Sequence, residues 1–475
     1  MIKKGYVLAC LFPLLAYGAT PGEQLWQLLA QTIVSEKTTC SKLDDLSVDL
    51  TGVFTSLNTI CDQLKSEIST LDSVAVASSV APFSSIALIE SKLEESLSLI
   101  DPIQSYADLL DDCIGTPITQ ADVGTTGYSI TTGGKYFLAE NITFSPASGI
   151  PAIEIDADNV TLDLNGFTIT QGNMQMGVRG ILVIGGHRDI NVQNGTIRNT
   201  LGEGITFLPT FTNVHINNLN VLNAGVGPGG SIDGVDGIMI GDFGMICSNL
   251  VIENCLVDGC QDDGIDIVGV TNVIINNCKV SNARSSGLVL KGLDRNVMLK
   301  DSVFFNNEQN GISLFGSGST SFNFAGKNMV VSRCEVFSNK QHGIVIGGIE
   351  SGGGICILNC DIYNNAVYGV RFFQVQTENC VVSQNYIANN GSDGIRLENA
   401  LNNNNFFFRN TIVENGGNSI NNAAGAVNSF LGNYAFKSSG TNYVAGGSVI
   451  NATTVTTSSA FGTQPAFWRN IDATP

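Results

Sequence analysis

Five aspartates stand close together in the middle of the chain, in a pattern that could support acid/base or cation chemistry. SIDGVDGIMI carries Asp233 and Asp236, and DGCQDDGIDIVG carries Asp262, Asp263 and Asp266. Paired carboxylates can act as a general acid and a general base, and carboxylate oxygens are the ligands that Ca²⁺ prefers. Asp is also favoured before Gly in turns. The residues therefore allow three interpretations: catalysis, cation binding and a solvated turn.

The elements that must position these aspartates follow from a repeat. From about residue 117 onward, Gly followed by an aliphatic residue recurs at steps of 23 (264 to 287) to 33 (204 to 237) residues. A nearly constant period of this length indicates a solenoid, whose coils stack only on their neighbours. The repeated glycines are Gly180, Gly204, Gly237, Gly264, Gly287, Gly311, Gly343, Gly369 and Gly394.

A second repeated segment runs in phase with the first, with NLVIENCLV and NVIINNCKV as two of its copies. Each copy predicts a strand, a polar pivot and a second strand. Asn and Asp tolerate the left-handed backbone that a sharp bend requires, so they suit the pivot. Cysteines follow several pivots and are predicted to point into the core. The pivots are Asn218, Asn254, Asn277, Asp301, Arg333 and Asn359.

Short parallel strands in coils of about this length predict a mainly β chain folded as a parallel β-helix. NVTLDLNGFTI, residues 159–169, resembles the opening coil of bacterial right-handed β-helix proteins of the pectin-lyase-like superfamily. The resemblance covers about residues 120–435 and implies that fold. It implies no single function, because the superfamily contains lyases, hydrolases, epimerases, tailspikes and adhesins.

The remaining segments predict an exported protein with several parts. Lys3 and Lys4 precede an apolar run, so residues 1–18 are predicted to be a signal peptide. Residues 19–115 show the a/d spacing of an α-helical, coiled-coil module, which is either an intramolecular hairpin or a stalk that forms a homo-oligomer. Residues 116–435 form the β-helix, and residues 436–475 a C-terminal tail or cap. The protein is therefore expected to be secreted, extracellular or on the cell surface.

Residues 233–269 also resemble the polygalacturonases, which hydrolyse pectin with inversion. That family carries Asn-Thr-Asp-Gly on one coil and Asp-Asp on the next, and GVDGIMI followed by CQDDGIDI is similar. The resemblance implies that Asp236, Asp262 and Asp263 are catalytic. The chain departs from the family where Ser286 replaces a His and where the strand GISLFG lacks an Arg-x-Lys. The acidic residues match the family, but the residues that would grip a uronate do not.

The repeat register stacks the residues that precede the glycines, so Glu203, Asp236 and Asp263 are expected on three consecutive coils. Stacked carboxylates repel one another, which raises a pKa or recruits a cation. A Ca²⁺ ion held by Asp233, Asp236, Asp262 and Asp263 is the one cofactor that this pattern suggests. The predicted ligand-binding residues are Glu203, Asp266, Arg371 and Arg396.

The net charge of the chain limits the classes of ligand that it can bind. The net charge of −19 excludes nucleic acid as a ligand, because phosphates require a basic face. It also disfavours a bare polyanionic sugar unless a cation or a local basic groove mediates contact. No later apolar run is long enough to span a membrane. The sequence favours a protein that binds glycans or extracellular partners along the solenoid without catalysis. The alternative is a polysaccharide hydrolase or lyase that uses the stacked aspartates.

Overall fold

The computed structural model describes residues 115–444 except 209, 229, 242–246, 293–294, 316–326, 348–353, 374–376, 423–426, 437 and 441–442. The predicted signal peptide, the helical module up to residue 114 and the tail beyond residue 444 lie outside these residues. The regular secondary structure of the described part is almost entirely β, with one short helix, α1 (Gln120–Val123), capped by Thr119. It has no helix that is long and apolar enough to cross a membrane.

Two long sheets contain nearly all of the described strands, and strands of successive coils pair in parallel, as β17 pairs with β20. Sheet 1 has thirteen strands: β2 (Tyr128–Ile130), β5 (Ile153–Ile155), β8 (Ile181–Val183), β10 (Ile205–Phe207), β14 (Ile238–Gly241), β17 (Ile265–Val268), β20 (Leu288–Lys291), β23 (Ile312–Phe315), β26 (Ile344–Gly347), β29 (Val370–Phe373), β32 (Ile395–Leu397), β35 (Ile420–Asn422) and β38 (Tyr443–Val444).

Sheet 2 has twenty-three described strands: β1 (Thr116–Ile118), β3 (Gly134–Leu138), β4 (Ile142–Phe144), β6 (Val160–Asp163), β7 (Thr168–Gln171), β9 (His187–Arg198), β11 (Phe211–Leu222), β15 (Cys247–Glu253), β16 (Leu256–Asp258), β18 (Val270–Asn276), β19 (Lys279–Ser281), β21 (Arg295–Lys300), β22 (Val303–Phe305), β24 (Lys327–Ser332), β25 (Glu335–Phe337), β27 (Ile355–Leu358), β28 (Asp361–Tyr363), β30 (Val381–Ser383), β31 (Tyr386–Ala388), β33 (Phe406–Phe408), β34 (Thr411–Val413), β36 (Ser429–Leu431) and β37 (Tyr434–Phe436). A small antiparallel hairpin, β12 (Val226–Gly227) and β13 (Gly230–Ser231), completes the set.

Each coil contributes one strand to sheet 1 and then a bent pair to sheet 2. In β17 and β20, for example, Ile265 lies opposite Leu288 and Ile267 opposite Leu290. These alternate side chains are buried, because successive residues of a strand point to opposite faces. The interior is therefore a continuous stack of aliphatic side chains, and the predicted parallel β-helix is confirmed.

The predicted polar pivots are confirmed as the bends between paired strands of sheet 2. Asn254 (φ 57°), Asn277 (φ 51°) and Arg333 (φ 51°) all have left-handed backbone conformations, which Asn adopts more readily than most residues. The cysteines that follow the pivots point into the core as expected. The thiols are free and buried at Cys255, Cys278, Cys334 and Cys360.

The repeated glycines are required by lack of space. Their backbone does not require Gly, because Gly264 and Gly343 are not in the left-handed conformation. A Cβ at Gly264 would lie 2.3 Å from Val280 Cγ1 and 2.7 Å from the carbonyl oxygen of Gly287. Glycine is thus required because the next coil and the core leave no room for a side chain.

Buried asparagines form a ladder beside the core. In Asn307, Asn339, Asn365, Asn390 and Asn415, each amide nitrogen except the last donates to the amide oxygen of the next residue at 2.9–3.0 Å. All are at most 1% exposed. The residue before each ladder position, such as Asn306 or Asn364, takes the left-handed bend.

Replacing Asn365 by Leu should lower the free energy of unfolding by about 3 kcal/mol, because several buried groups lose their partners. Asn339 would lose the acceptor of its backbone and side-chain N–H groups, and Val336 would lose a donor to its carbonyl. Chemical denaturation measures the change. The exposed neighbour variant Asn364→Gly should change stability by less than about 1 kcal/mol, because Gly tolerates positive φ. Equal losses in both variants would contradict a structural role for the ladder.

Candidate functional site

Three aspartates meet on the outer side of sheet 1. Asp236 precedes β14, Asp263 precedes β17, and Asp266 projects from β17. One carboxylate oxygen from each lies within 4.8 Å of the others. All three residues are buried, with exposures of 8%, 5% and 6%. Asp236, Asp263 and Asp266 are called the acidic cluster below.

Backbone amides and one lysine hold the acidic cluster. The backbone N–H of Asp263 donates to Asp236 Oδ1 at 3.0 Å, and that of Ser286 donates to Asp263 Oδ1 at 2.8 Å. Lys291, at the end of β20, lies 2.9 Å from Asp266 Oδ2 and 3.7 Å from Asp263 Oδ2. When all four groups are ionised, three carboxylates and one ammonium leave a formal charge of −2. The lysine therefore neutralises only part of the cluster.

Because the negative charge of the acidic cluster is only partly neutralised, the pKa values of its groups are shifted. Burial, together with the carboxylates of Asp266 and Asp263, raises the pKa of Asp236 to about 8. Burial also raises the pKa of Asp263 and Asp266, against the opposing effects of the Ser286 amide and Lys291. Burial alone would lower the pKa of Lys291, but Asp266 and Asp263 more than offset it and raise it. The cluster thus holds a protonated carboxyl group at neutral pH unless a cation replaces the proton.

One oxygen of the acidic cluster has no partner. Asp266 Oδ1 is buried and accepts no hydrogen bond from any part of the chain that the structure describes. Buried carboxylate oxygens are normally hydrogen-bonded or bound to metal. Because one carboxylate oxygen of each residue converges and Asp266 also has an unsatisfied oxygen, the donor set fits a hard divalent cation such as Ca²⁺.

The other predicted acidic residues lie around the cluster. Asp262 is half-buried beside Ser285, and burial and Asp263 raise its pKa. Asp233 is exposed and forms an ion pair with Arg284. Glu203 stacks on the coil before Asp236, and its carboxylate binds Arg179 Nε at 2.6 Å.

The two predicted arginines lie further along sheet 1. Arg371 on β29 is directly opposite Arg396 on β32. Arg371 forms a two-point ion pair with Glu398, at 3.0 and 3.1 Å. Arg396 Nη1 lies 3.4 Å from Asp393 Oδ2. The guanidinium of Arg371 stands 4.2 Å from the ring centre of Phe373.

The outward side chains of successive strands link the two regions. Val289, Ser313 and Val345 are almost completely buried despite their outward position. The middle of this column is therefore covered. The exposed fraction rises again at the arginines, whose side chains are 23% and 31% exposed. The outer face, as the term is used below, consists of Asp266, Val289, Ser313, Val345, Arg371 and Arg396 in one column.

Sequence reasoning overlooked Lys291 and His342 as neighbours of these charges. Lys291 ends the strand LVLK two residues after Val289, which shares the outward column with Asp266. Strand alternation therefore offered a signal for Lys291. His342 precedes Gly343 as Asp263 precedes Gly264, but its proximity to Arg371 depends on side-chain geometry. Its Nε2 lies 3.0 Å from Arg371 Nη1.

Comparison with known families agrees with this architecture. The family described as right handed beta helix region matches residues 152–325 and 324–436. The chain belongs to this family. It is a right-handed parallel β-helix, as its opening coil predicts. No curated protein matches the sequence.

Solved structures similar to this β-helix include the A-module of mannuronan C-5 epimerase AlgE4 from Azotobacter vinelandii. That similarity has a TM-score of 0.51 and 16% identity, over 71% of this chain and 88% of that one. The AlgE6 A-module from the same organism gives 0.47 and 15%, over 71% and 98%. Dettilon tailspike protein gp208 gives 0.48 and 15%, over 69% and 67%. At 16% identity, the likeness to the AlgE4 A-module shows the fold alone.

Without divalent cations, the β-helix should become less stable as the pH rises from about 4 to about 8. The folded protein keeps a proton on Asp236 up to about pH 8, whereas an unfolded Asp loses it near pH 4. Unfolding therefore releases a proton in this window, and stability falls with pH by up to about 1.4 kcal/mol per pH unit.

Chemical denaturation in a chelator, across this pH range, measures the slope. Asp236→Asn should reduce it, because the amide does not titrate. The control is Asp189→Asn, in which an exposed residue at φ 59° can still accept the hydrogen bond from Asn213. An equal slope in the wild type and Asp236→Asn would show that the carboxyl group is ionised throughout.

Proposed function

We propose that this protein binds a polysaccharide along the outer face of sheet 1, with a divalent cation in the acidic cluster as part of the binding site. An exported protein would meet such ligands outside the cell, which agrees with the signal peptide expected from residues 1–18. The proposal concerns binding, and cleavage of the ligand is a second candidate.

The unpartnered Asp266 Oδ1 is the observation that carries the proposal. This oxygen is buried within a cluster that already includes Asp236 and Asp263. Protons or Lys291 can neutralise part of the charge, but neither satisfies the free oxygen as the structure stands. A cation would satisfy it and would also remove the repulsion between the carboxylates.

A cation in this position would leave room for a ligand. Ca²⁺ takes six to eight oxygens, and three carboxylates that each give one or two oxygens supply three to six. Sugar hydroxyl or carboxylate oxygens can complete the coordination. A cation would therefore overcome the repulsion between an acidic sugar and a chain whose net charge is −19.

The outer face has the length that a polymer requires. Asp266 and Arg396 are separated by five coil-to-coil steps. At about 4.8 Å per step, this is about 24 Å. Its acidic end and its basic end could each contact one extended chain, whereas Val289, Ser313 and Val345 between them are buried and offer no contact.

Cleavage by the acidic cluster is the second candidate function. Asp236, with a pKa of about 8, would be protonated at neutral pH and could act as a general acid. The cluster oxygens lie within 4.8 Å, whereas inverting hydrolysis needs carboxyl groups about 6.5–9.5 Å apart to admit a water. This spacing disfavours an inverting pair within Asp236, Asp263 and Asp266, and it does not concern Asp262, the remaining member of the set that the sequence suggests.

Calcium binding and polysaccharide binding should be linked. Isothermal titration should detect Ca²⁺, and Asp266→Asn should weaken it at least tenfold, about 1.4 kcal/mol, because the amide oxygen carries no charge. Affinity electrophoresis in polysaccharide gels should then show retardation that EDTA abolishes. Asp189→Asn is the control and should behave as wild type. The proposed site would be contradicted if Asp266→Asn bound Ca²⁺ as tightly as the wild type does. It would also be contradicted if EDTA left the retardation in polysaccharide gels unchanged.

The catalytic candidate has a separate test. Wild-type protein would be incubated with neutral and acidic polysaccharides, with and without Ca²⁺, and assayed for new reducing ends and for unsaturated sugars. If the cluster is catalytic, Asp236→Asn and Asp263→Asn should lower the rate by about a hundredfold or more, which is typical for loss of an acid or base. Absence of product from every substrate would leave binding as the function of the cluster.

A further inference from the structure

A second polar group surrounds Arg371 of the outer face and places an arginine N–H donor against a nitrogen of a histidine ring. It consists of His342, Tyr368, Arg371, Phe373 and Glu398, called the arginine site below. The His342 ring stacks on Tyr368 with centres 5.0 Å apart, and the Arg371 guanidinium lies over Phe373. Glu398 occupies Nε and Nη2 of Arg371. Nη1 is turned instead toward His342 Nε2, at 3.0 Å.

The protonation state of His342 makes this contact unfavourable. Burial and the Arg371 guanidinium lower the pKa of His342 to about 4, so the imidazole is neutral at pH 7. A neutral imidazole has one N–H and one acceptor nitrogen. Nδ1 accepts the backbone N–H of Tyr368 at 3.2 Å, which places the ring hydrogen on Nε2. This N–H then faces Arg371 Nη1, and arginine has no acceptor.

The other tautomer does not remove the conflict. If Nε2 accepts from Arg371, the hydrogen lies on Nδ1 and faces the backbone N–H of Tyr368. In either tautomer one N–H group is opposed by another donor. Only the conflict between Nε2 and Nη1 involves an atom of a partly exposed side chain, since Arg371 is 23% exposed. An acceptor from outside can therefore resolve it.

The next coil adds unused donor capacity. Arg396 Nε is buried and has no hydrogen-bond partner among the described residues. Its neighbour Asp393 already accepts from the backbone and side chain of Asn418 at 2.7 and 2.9 Å and from Asn421 at 3.0 Å. Arg396 reaches this carboxylate only through the 3.4 Å contact of Nη1. On adjacent coils, Arg396 Nε thus lacks an acceptor and Arg371 Nη1 faces only a ring nitrogen.

We infer that the arginine site binds an oxyanion, a carboxylate or sulfate carried on a polysaccharide, between Arg371 Nη1 and His342 Nε2. The inference rests on the proposed function and assigns its ligand to the acidic polysaccharides. An anionic oxygen would accept from both donors at once, as charge-assisted hydrogen bonds. The aromatic faces of Tyr368 and Phe373 fix the guanidinium and can pack against a sugar ring.

The arginine site is separate from the acidic cluster. Arg371 lies four coil-to-coil steps from Asp266, about 19 Å at 4.8 Å per step. One polymer chain along the outer face could therefore contact a cation at one end and the arginine site at the other. Acidic groups of the polymer would bind the cation at one position and the guanidinium of Arg371 at the other. Two fixed contacts of this kind set the register of the polymer on the protein.

The test compares matched polysaccharides that differ only in their charge. Wild-type affinity is measured with Ca²⁺ present for polygalacturonate and its methyl ester, and for dextran sulfate and dextran. Tighter binding of the charged member of a pair is expected, and the two pairs distinguish carboxylate from sulfate. Arg371→Lys, which keeps the charge but loses the planar fork, should weaken that binding at least tenfold. His342→Phe, which keeps a stacking ring, should weaken it about threefold to tenfold.

Arg333→Lys is the control, because Arg333 forms a similar two-point ion pair with Asp301 on sheet 2. This variant should bind as wild type, and all variants should bind Ca²⁺ equally and keep their thermal midpoints. If Arg371→Lys binds charged polysaccharide as Arg333→Lys does, the oxyanion site is wrong while cation-dependent binding stands. If wild-type protein discriminates in neither pair, the inference is again wrong. If it binds no polysaccharide at all, the proposed function fails as well.

Discussion

The in-register hydrogen bonding between successive coils is the constraint on which the rest of the structure depends. Each strand pairs with the strand one coil away, position for position, as Asp266 pairs with Val289. The main neighbour of any side chain is therefore the residue at the same repeat position on the next coil. This rule stacks aliphatic residues into a core, but it also stacks amides, aromatic rings and charges. Columns of like residues are stable only where their chemistry allows self-association.

Asparagine and aspartate illustrate the two outcomes of that rule. An asparagine amide can donate to the next amide and accept from the previous one, so a column such as that around Asn365 satisfies itself. An ionised carboxylate accepts hydrogen bonds but cannot donate them. The column at Asp236 and Asp263 therefore cannot satisfy its own hydrogen bonds. Backbone amides and Lys291 relieve part of the repulsion, and the remainder appears as a raised pKa and an unsatisfied oxygen. The acidic cluster is thus a site because it violates the pattern that stabilises its surroundings.

The fold was largely predictable from the sequence because the repeat is visible there. The period, the left-handed pivots such as Asn254 and the buried cysteines all depend on local spacing. The reason for the glycines was not predictable, because the crowding at Gly264 comes from an adjacent coil. The site was predicted only in part. Asp236 and Asp263 were expected together, but the choice of Asp266 over Asp262 as the third member depends on which side chain turns toward the outer surface. The conflict between the N–H groups of His342 and Arg371 can be recognised only from atomic distances.

The buried asparagine ladder also has a direction. Every link from Asn307 to Asn415 runs the same way, with the N–H of each amide donating to the carbonyl of the residue on the following coil. The side-chain amide dipoles therefore point along the solenoid axis and add to one another, much as peptide dipoles add along an α-helix, and each link polarises the next. A whole coil could be inserted or removed without breaking this alignment, whereas a shift of one residue would reverse which face carries the amides. The ladder therefore permits the solenoid to change length in complete coils and opposes any other change.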